Sequence, residues 1–389
     1  MRACLECLPL AFDVSPSRAA WALRAQFFVA GALFATWGVH VPTVKAQYAL
    51  DERELAMAML AAGIGSILTL PQAGRIVARF GARRVALVVG PASACCIGAL
   101  LAFHSIVPLA AAMLLYGATG ALFDVTINAS ATEVESRAQR PLMSGFHALF
   151  SLGGMVGAAV GSAWLAAGAS PVLHVVTVAI ASALIVLGAA RFMLPPPRSS
   201  DEGRTPLALP RGPLALLGML AAFGLIAEGA MYDWSVLFMK QEIGAAPALS
   251  ALAYASFSAA MTAGRFGGDA VRARFAAVTV LRASGVLGAA GMVLALAAPQ
   301  PWVGLLGFAV VGLGFANIVP VLFSAAGRVP GVSAAGGIAA VSSAGYFGMM
   351  VGPPWIGAVA QRYSLTAGLG LVVLFALAVG LAARRAVRS

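Results

Sequence analysis

The chain is a nearly unbroken succession of apolar windows, each about 20 residues long and separated by short stretches rich in charged or turn-forming residues. Of its 389 residues, 61% are hydrophobic and only 10% are charged, with a mean hydropathy of +0.92. Soluble domains carry about 25% charged residues. Lipid cannot satisfy free backbone amides, and the alternating pattern of membrane barrel strands is missing. The sequence therefore predicts a bundle of transmembrane helices.

The apolar windows predict an all-α membrane protein with twelve transmembrane helices in two six-helix bundles. The first six lie near Trp21–Lys45, Glu54–Phe80, Arg84–Phe103, Val107–Ala129, Leu142–Ala166 and Val172–Met193. The last six lie near Leu214–Phe238, Leu249–Gly268, Ala276–Ala297, Trp302–Ala325, Ala334–Ala358 and Leu365–Ala383. We expect the chain to divide into a disordered tail (1–17), a first bundle (18–193), a cytoplasmic linker (194–212) and a second bundle (213–389).

The distribution of basic residues predicts the orientation. If both termini lie inside, the termini and the loops on that side carry all but four of the 25 basic residues. The four exceptions are Lys45, Arg53, Lys240 and Arg362. Cytoplasmic loops of membrane proteins carry such an excess of Lys and Arg. We therefore expect a multi-pass protein of the bacterial inner membrane with both termini in the cytoplasm, and the net charge of +11 implies no nucleic-acid partner.

Three short motifs recur in the second half of the chain at a nearly constant spacing. They are Ala73-Gly74-Arg75 with Ala263-Gly264-Arg265, Asn128 with Asn317, and Gly153, Gly157 and Gly161 with Ala344, Gly348 and Gly352. The matches indicate that a six-helix unit was duplicated. Parallel repeats of this kind occur in transporters that bind their solute between the two halves.

The segment between helices 2 and 3, Gly74-Arg75-Ile76-Val77-Ala78-Arg79-Phe80-Gly81-Ala82-Arg83-Arg84, resembles the loop signature of the major facilitator superfamily. Further segments are similar to the fucose-permease-like branch of that superfamily: 117–133, Arg140–His147, Ala227–Ala230 with Asp233-Trp234, and Gly352-Pro353-Pro354. The resemblance spans helices 1 to 12. It implies a secondary transporter that works by alternating access. It also implies that the loop residues stabilise one conformational state, namely Gly74, Arg79, Gly81, Arg83 and Arg84; the simpler alternative for the three arginines is that they only set the membrane topology.

Two departures from the family pattern bear on gating and on the solute. Ala78 stands where the loop signature usually has an acid, whereas the second half keeps Asp269 near the equivalent turn. We therefore expect Asp269 and the repeated Arg265 to take part in gating. Ala158 stands where the drug-antiporter signature of helix 5 has proline, which makes multidrug efflux the less favoured alternative.

Ionisable groups inside the bilayer are the candidates for transport chemistry, because each costs roughly 2.5 to 3.5 kcal/mol on insertion scales. Glu228 lies near the middle of predicted helix 7, with Tyr232 on the same face. Weak solvation there disfavours the carboxylate form, so we expect Glu228 to bind a proton or the solute; the alternative is a structural carboxyl. Asp233 points about 140° away around the helix, and we assign it to gating or to hydrogen bonding between helices rather than to direct transport chemistry.

A second candidate group lies on predicted helices 4 and 5. Asp124 and Asn128 form one stripe, and His147 lies at a comparable depth. This group could relay protons or bind a polar solute, and the alternative is a hydrogen-bonded pair of helices. The resemblance implies that helices 1, 4, 7 and 10 line the cavity, which adds Gln26, Trp37 and Asn317 as candidates.

The predicted function is secondary active transport of a small organic solute, sugar-like or another small metabolite, coupled to protons. We expect a monomer in the lipid bilayer with no cofactor, no metal and no catalytic residue. A drug/proton antiporter and a transporter-like sensor that binds without moving solute are the alternatives. An intramembrane aspartyl protease is disfavoured, because its Gly-x-Gly-Asp motif is interrupted by Phe266 before Asp269.

Overall fold

The computed structural model describes residues 15–50, 52–103, 105–195, 211–245, 247–297 and 300–387, so most of the predicted tail and linker lies outside it. The helices are α1 (Pro16–Gln47), α2 (Glu52–Phe80), α3 (Ala82–Gly98), α4 (Ile106–Ala138), α5 (Met143–Ala166), α6 (Pro171–Ala190), α7 (Pro213–Gln241), α8 (Pro247–Arg274), α9 (Ala277–Leu296), α10 (Pro301–Phe315), α11 (Ile318–Ala326), α12 (Ala334–Arg362) and α13 (Leu365–Val387). Within these described residues, ten spans, with α10 and α11 counted as one, are long and apolar enough to cross a membrane. The predicted all-α membrane fold is confirmed.

The two halves of the chain pack by the same scheme. In the first half α1 packs on α5, α2 on α4 and α3 on α6. In the second half α7 packs on α12, α8 on α10 and α9 on α13, with α10 and α11 together in the place of α4. The repeat seen in the sequence is therefore a repeat of two pseudo-symmetric six-helix bundles.

Glycines explain how closely α1 and α5 cross. A Cβ atom at Gly31 would overlap the carbonyl oxygen of Phe150, and one at Gly153 would overlap the carbonyl oxygen of Phe28. Small residues at such crossings let the backbones approach, which is a main source of helix association in lipid. The glycine series of predicted helix 5 therefore has a packing role.

The bundles meet mainly along two seams, α5 with α8 and α2 with α12, and each seam corresponds to the other under the repeat. We call the end of the molecule that carries the turns after α2, α4, α8 and α11 the basic end, since the arginine-rich turns lie there. The other is the opposite end.

The three largest differences from the predicted helices lie near the basic end. α4 continues past Ala129 to Ala138, and α8 continues past Gly268 to Arg274. Helices can extend beyond the hydrocarbon core, so the polar residues that ended the apolar windows are still helical. The predicted helix 10 is broken at residues 316–317 into α10 and α11.

Candidate functional site

A buried ion pair connects α7 and α8 near the middle of the bundle. The Arg265 Nη2 atom lies 3.1 and 3.3 Å from the two carboxylate oxygens of Glu228. Both side chains are largely withdrawn from solvent, with exposed fractions of 5% for Arg265 and 13% for Glu228. Because α8 is longer than predicted, Arg265 lies well inside the helix. Breaking a buried pair by removing one partner costs about 3–5 kcal/mol.

The same arginine reaches across to the other half of the molecule. Its Nη1 atom donates to the Ser151 Oγ of α5 at 2.6 Å, while its Nε has no hydrogen-bond partner among the described residues. Tyr232 OH lies 3.5 Å from Glu228 Oε1, and its ring packs on Tyr254 at 4.9 Å between centroids. A carboxylate of one half is thus connected through a guanidinium to a helix of the other half.

The α4 candidates form a separate polar pair. The Asn128 Nδ2 donates to Asp124 Oδ1 at 3.0 Å and to the Asp124 carbonyl oxygen at 2.9 Å. Asn128 is fully buried, and its Oδ1 has no partner among the described residues. No ion pair joins Asp124 to a cation within the part of the chain that the structure describes.

His147 lies among aromatic rings. Its ring centroid is 5.4 Å from that of Phe27 on α1 and 5.8 Å from that of Phe323 on α11, and Phe27 stacks on Phe146 at 5.6 Å. The structure therefore brings Asp124 and Asn128 together, while the contacts of the imidazole are with an apolar layer between the halves. Such a layer excludes water between the middle of the bundle and the basic end.

The N-terminus of α5 is capped by two carboxylates from different halves. Glu135 Oε2 accepts from the backbone amides of Leu142 and Met143 at 2.8 and 2.9 Å. Asp269 on α8 accepts from the next two amides, those of Ser144 and Gly145, at 2.9 and 2.8 Å. The N-terminal amides of a helix have no intrahelical acceptor, and the helix dipole favours negative charge there. We call these four bonds the α5 cap.

Arginines from the second half surround the Glu135 carboxylate. Its Oε1 atom lies 3.1 Å from Arg272 Nη2 and 2.7 Å from Arg328 Nη2, and it accepts from Ser324 Oγ at 2.8 Å. Arg272 also lies 3.5 Å from Asp269. Glu135 is 1% exposed, so its charge requires these partners. The network joins the end of α4 to α8 and α11.

Asn317, at the break between α10 and α11, joins the same seam. Its Oδ1 accepts from Ser144 Oγ at 2.8 Å, and its Nδ2 donates to the Gly264 carbonyl at 3.3 Å. Helix α8 itself contacts the first half about once every turn, through Thr262, Arg265, Asp269 and Arg272. Their spacing of three, four and three residues places them on one face of the helix.

The second seam is closed differently, which accounts for Ala78. The N-terminus of α12 is capped within its own half, because Ser333 Oγ accepts from Gly336 N at 3.1 Å. Gly74 approaches this turn so closely that a Cβ there would lie 2.7 Å from Gly336 Cα. An acid at position 78 is therefore not needed to cap α12. By contrast, the N-cap residue of α5 is Leu142, whose side chain has no acceptor, so the first amides of α5 need acceptors from other helices.

The remaining predicted residues lie apart from these contacts. Gln26 is fully buried on α1 with both amide atoms lacking partners among the described residues, and Trp37 is buried on the same helix. Gly81 begins α3 with a φ of 79°, which glycine adopts easily. Three arginines of the loop signature and Asp233 occupy more accessible positions: Arg79, Arg84 and Asp233 are exposed and Arg83 is half-buried.

Sequence reasoning missed six site residues: Glu135, Ser144, Ser151, Arg272, Ser324 and Arg328. Glu135 lies six residues beyond the predicted end of helix 4, so it was read as part of a loop. Serines in an apolar helix give no distinct signal. The available signal was the row of polar residues on one face of α8, from Thr262 to Arg272, and it is recognisable only when the helix is extended to Arg274.

Comparison with known proteins supplies the family. Residues 23–353 match the family model of the Major Facilitator Superfamily. An uncharacterised MFS-type transporter of Yersinia pestis is 35% identical over 367 residues, which cover 94% of this chain and 95% of that protein.

Two solved structures share the fold. The fucose:proton symporter FucP of E. coli has a TM-score of 0.78 at 15% identity, covering 94% of this chain and 98% of its own. The proton:xylose symporter XylE has a TM-score of 0.77 at 14% identity, covering 96% of this chain and 97% of its own.

Proposed function

Because the chain belongs to the major facilitator superfamily, and is thus a multi-pass membrane transporter and not an enzyme, we propose that it moves a small organic solute by proton-coupled alternating access. The observation that carries the proposal is the connection from Glu228 through Arg265 to Ser151. It links a carboxyl that can bind a proton in one half to a helix of the other half.

Protonation of Glu228 is the coupling step in this proposal. As a carboxylate, Glu228 holds Arg265 in place against Ser151 on the α5–α8 seam. A proton on Glu228 removes the charge that holds Arg265, so the guanidinium is released and the seam loses a contact. Binding of proton and solute thereby shifts the equilibrium between the closed and open states of the basic end, since a ligand acts through its differential affinity for two states.

We propose that the basic end faces the cytoplasm, in accordance with the excess of basic residues in its turns. The α5 cap and the Glu135 network then close the cytoplasmic side in this structure. Cysteines at Ser136, in the last turn of α4, and at Gln241, at the far end of α7, test the orientation. An impermeant maleimide should label Ser136→Cys from the cytoplasm and Gln241→Cys from outside; labelling of both from one side would contradict it.

A sugar-like solute is the first candidate, because FucP and XylE share the fold and are named as sugar symporters. The half-buried Asp124 and the phenol of Tyr232 are groups that can bind hydroxyls. Drug/proton antiport and sensing without transport are the alternatives that the experiment must separate.

The experiment uses proteoliposomes loaded with a pH-sensitive dye and a panel of sugars, amines, organic acids and cationic dyes. A transported solute should move protons across the membrane. Glu228→Gln has the shape and charge of the protonated form, so it should abolish proton-driven accumulation while leaving counterflow exchange of solute. Asp124→Asn is the comparison variant, because it removes the other candidate carboxyl without touching Arg265.

Three results would contradict the proposal. Full proton-driven uptake by Glu228→Gln together with its loss in Asp124→Asn would move the coupling role to α4. Full activity in both variants would indicate a facilitator without proton coupling. Binding of a panel solute without any movement of solute would indicate a sensor.

A further inference from the structure

Two hydrogen-bond acceptors lie side by side on α4 without a donor to match them. Asp124 is half-buried, its Oδ1 accepts from the amide nitrogen of Asn128 at 3.0 Å, and its Oδ2 accepts no hydrogen bond among the described residues. Asn128 is 0% exposed, and its Oδ1 lacks a partner within the described part of the chain. A buried amide oxygen without a donor is costly, so the pair favours a ligand that donates hydrogen bonds.

The pair faces the second half of the molecule. Tyr346 of α12 is close enough to Asp124 for the two groups to interact electrostatically. It also interacts with Tyr116, which lies two turns before Asp124 on α4. Helices α4 and α12 belong to different halves and pack against each other. A ligand held by Asp124 and Asn128 would therefore lie between the halves, where a transported solute has to bind.

The charges in this part of the bundle are unbalanced toward the negative. Glu228 is compensated by Arg265. Neither Asp124 nor Asp233 forms an ion pair within the described residues, and Asp233 is exposed although it lies within the α7 span. An exposed carboxylate at that position faces water rather than lipid, because a charge against hydrocarbon is too costly. Asp124 and Asp233 thus leave negative charge without an ion-pair partner among the described residues, which favours a cation over an anion.

We propose that the transported solute carries one protonated amine, and that Asp124 and Asn128 bind this group. An ammonium has three donors, no acceptor and one positive charge, so it matches a carboxylate beside an unpaired amide oxygen. A neutral hydroxyl would leave the carboxylate uncompensated, and an organic anion would be repelled by it. The inference rests on the proposed transport function and names the class of solute that this site selects.

The proposal assigns proton coupling and solute binding to two different carboxyls. Glu228, paired with Arg265, binds the coupling proton, whereas Asp124 binds the solute. Glu228→Gln is then expected to keep the preference for a cation, and Asp124→Asn is expected to lose it.

Equilibrium binding to the purified full-length protein tests the charge preference with probes that share one scaffold. Glucosamine, glucose and glucuronate carry positive, zero and negative charge, and 4-aminobutan-1-ol, butane-1,4-diol and 4-hydroxybutyrate form a second set. In at least one set the amine should bind with a Kd at least about tenfold below that of the neutral member, with no binding of the acid; tenfold corresponds to about 1.4 kcal/mol.

Three variants locate the preference. Asp124→Asn should bring the Kd values of the amine and the neutral member within about twofold, a difference of less than 0.5 kcal/mol. Asp233→Asn, which removes a membrane-depth acid that lacks the amide neighbour, should keep the preference. Asn128→Ala should weaken amine binding without removing the charge, which provides a second reading if Asp124→Asn does not fold.

The proposal is overturned if neutral members bind as tightly as amines, if the acid is preferred, if the preference survives in Asp124→Asn, or if no amine binds at 50 mM, a concentration about fiftyfold above a Kd of 1 mM. Failure of the transport proposal has a different signature. In that case amines bind with the expected preference, yet no panel solute moves protons in proteoliposomes.

Discussion

Asp269→Asn is expected to open the basic end, because Asp269 is the residue through which the second half caps α5. Its two oxygens accept from Ser144 N and Gly145 N at 2.9 and 2.8 Å, and Arg272 lies 3.5 Å away. Asparagine has a single acceptor oxygen, and its amide group would point its hydrogens at one of the two backbone donors. The variant therefore loses one bond outright and keeps the other only as a neutral hydrogen bond.

The size of the effect follows from those two changes. Hydrogen bonds to charged groups contribute about 1.5–3 kcal/mol each, against about 1 kcal/mol for neutral ones. When the basic end opens, water replaces part of these hydrogen bonds, and the Asp269 side chain is already 22% exposed in the closed state. We therefore expect Asp269→Asn to destabilise the closed state relative to the open state by about 2 kcal/mol. At 1.4 kcal/mol per tenfold, the open population should rise about thirtyfold.

The assay is the rate at which a buried cysteine becomes accessible from the basic end. Thr132 on α4 is 3% exposed, lies against Gly327 of the second half and takes no part in the α5 cap. In a background without the four native cysteines, Thr132→Cys should react with an impermeant maleimide about thirtyfold faster when Asp269→Asn is added. The rate reports the open population as long as opening is fast relative to labelling.

Asp233→Asn is the matched control, since it makes the same chemical change at an exposed acid outside the cap. It should change the labelling rate less than about twofold, which is under 0.5 kcal/mol. An unchanged or lower rate in Asp269→Asn would refute the reasoning, and so would an equal acceleration in the control. Either result would mean that the cap bonds do not distinguish the closed state from the open one.

Two further predictions concern the same end of the molecule. A disulfide between Thr132→Cys and Gly327→Cys should stop solute-driven proton movement until it is reduced, because the Cβ atoms would lie about 3.2 Å apart across the halves, a few tenths of an ångström below the usual range. Undiminished transport by the oxidised protein would show that the halves do not separate there. Gly74→Leu should wedge α2 away from Gly336 and accelerate labelling at position 132, while Gly38→Leu, at a site with open space, should not. Equal rates in these two variants would argue against a wedge.

The apolar windows were sufficient to predict the helices, and the repeated motifs were sufficient to predict two similar halves. Both follow from local sequence, since a helix in lipid must be apolar over about 20 residues. The ends of α4 and α8 were predicted less well. There the hydropathy falls because Glu135, Asp269 and Arg272 are charged. These residues obscured the helix ends in the sequence, and in the structure they form a polar network.

Glu228 was identifiable from the sequence as a carboxyl in the middle of a helix, but its state was not. Its partner Arg265 lies 37 positions away on another helix and had been counted among the cytoplasmic charges. Whether a buried acid is paired or unpaired depends on the packing of distant helices, and no local pattern records it. Asp124 is the converse case, since the sequence places it beside Asn128 and only the structure shows the unmatched oxygen.

The shared cap of α5 has a consequence for the order in which the protein is completed. Two of its four amides are satisfied by Glu135, which is synthesised just before them, but the other two wait for Asp269, which follows 125 residues after Ser144. Until α8 is in place, the start of α5 keeps two free donors at the water interface, where the first bundle can remain hydrated and pliable. The last hydrogen bonds of the first bundle are therefore made by the second, so the first half of this chain, expressed alone, should insert into the membrane yet stay loosely packed around the start of α5.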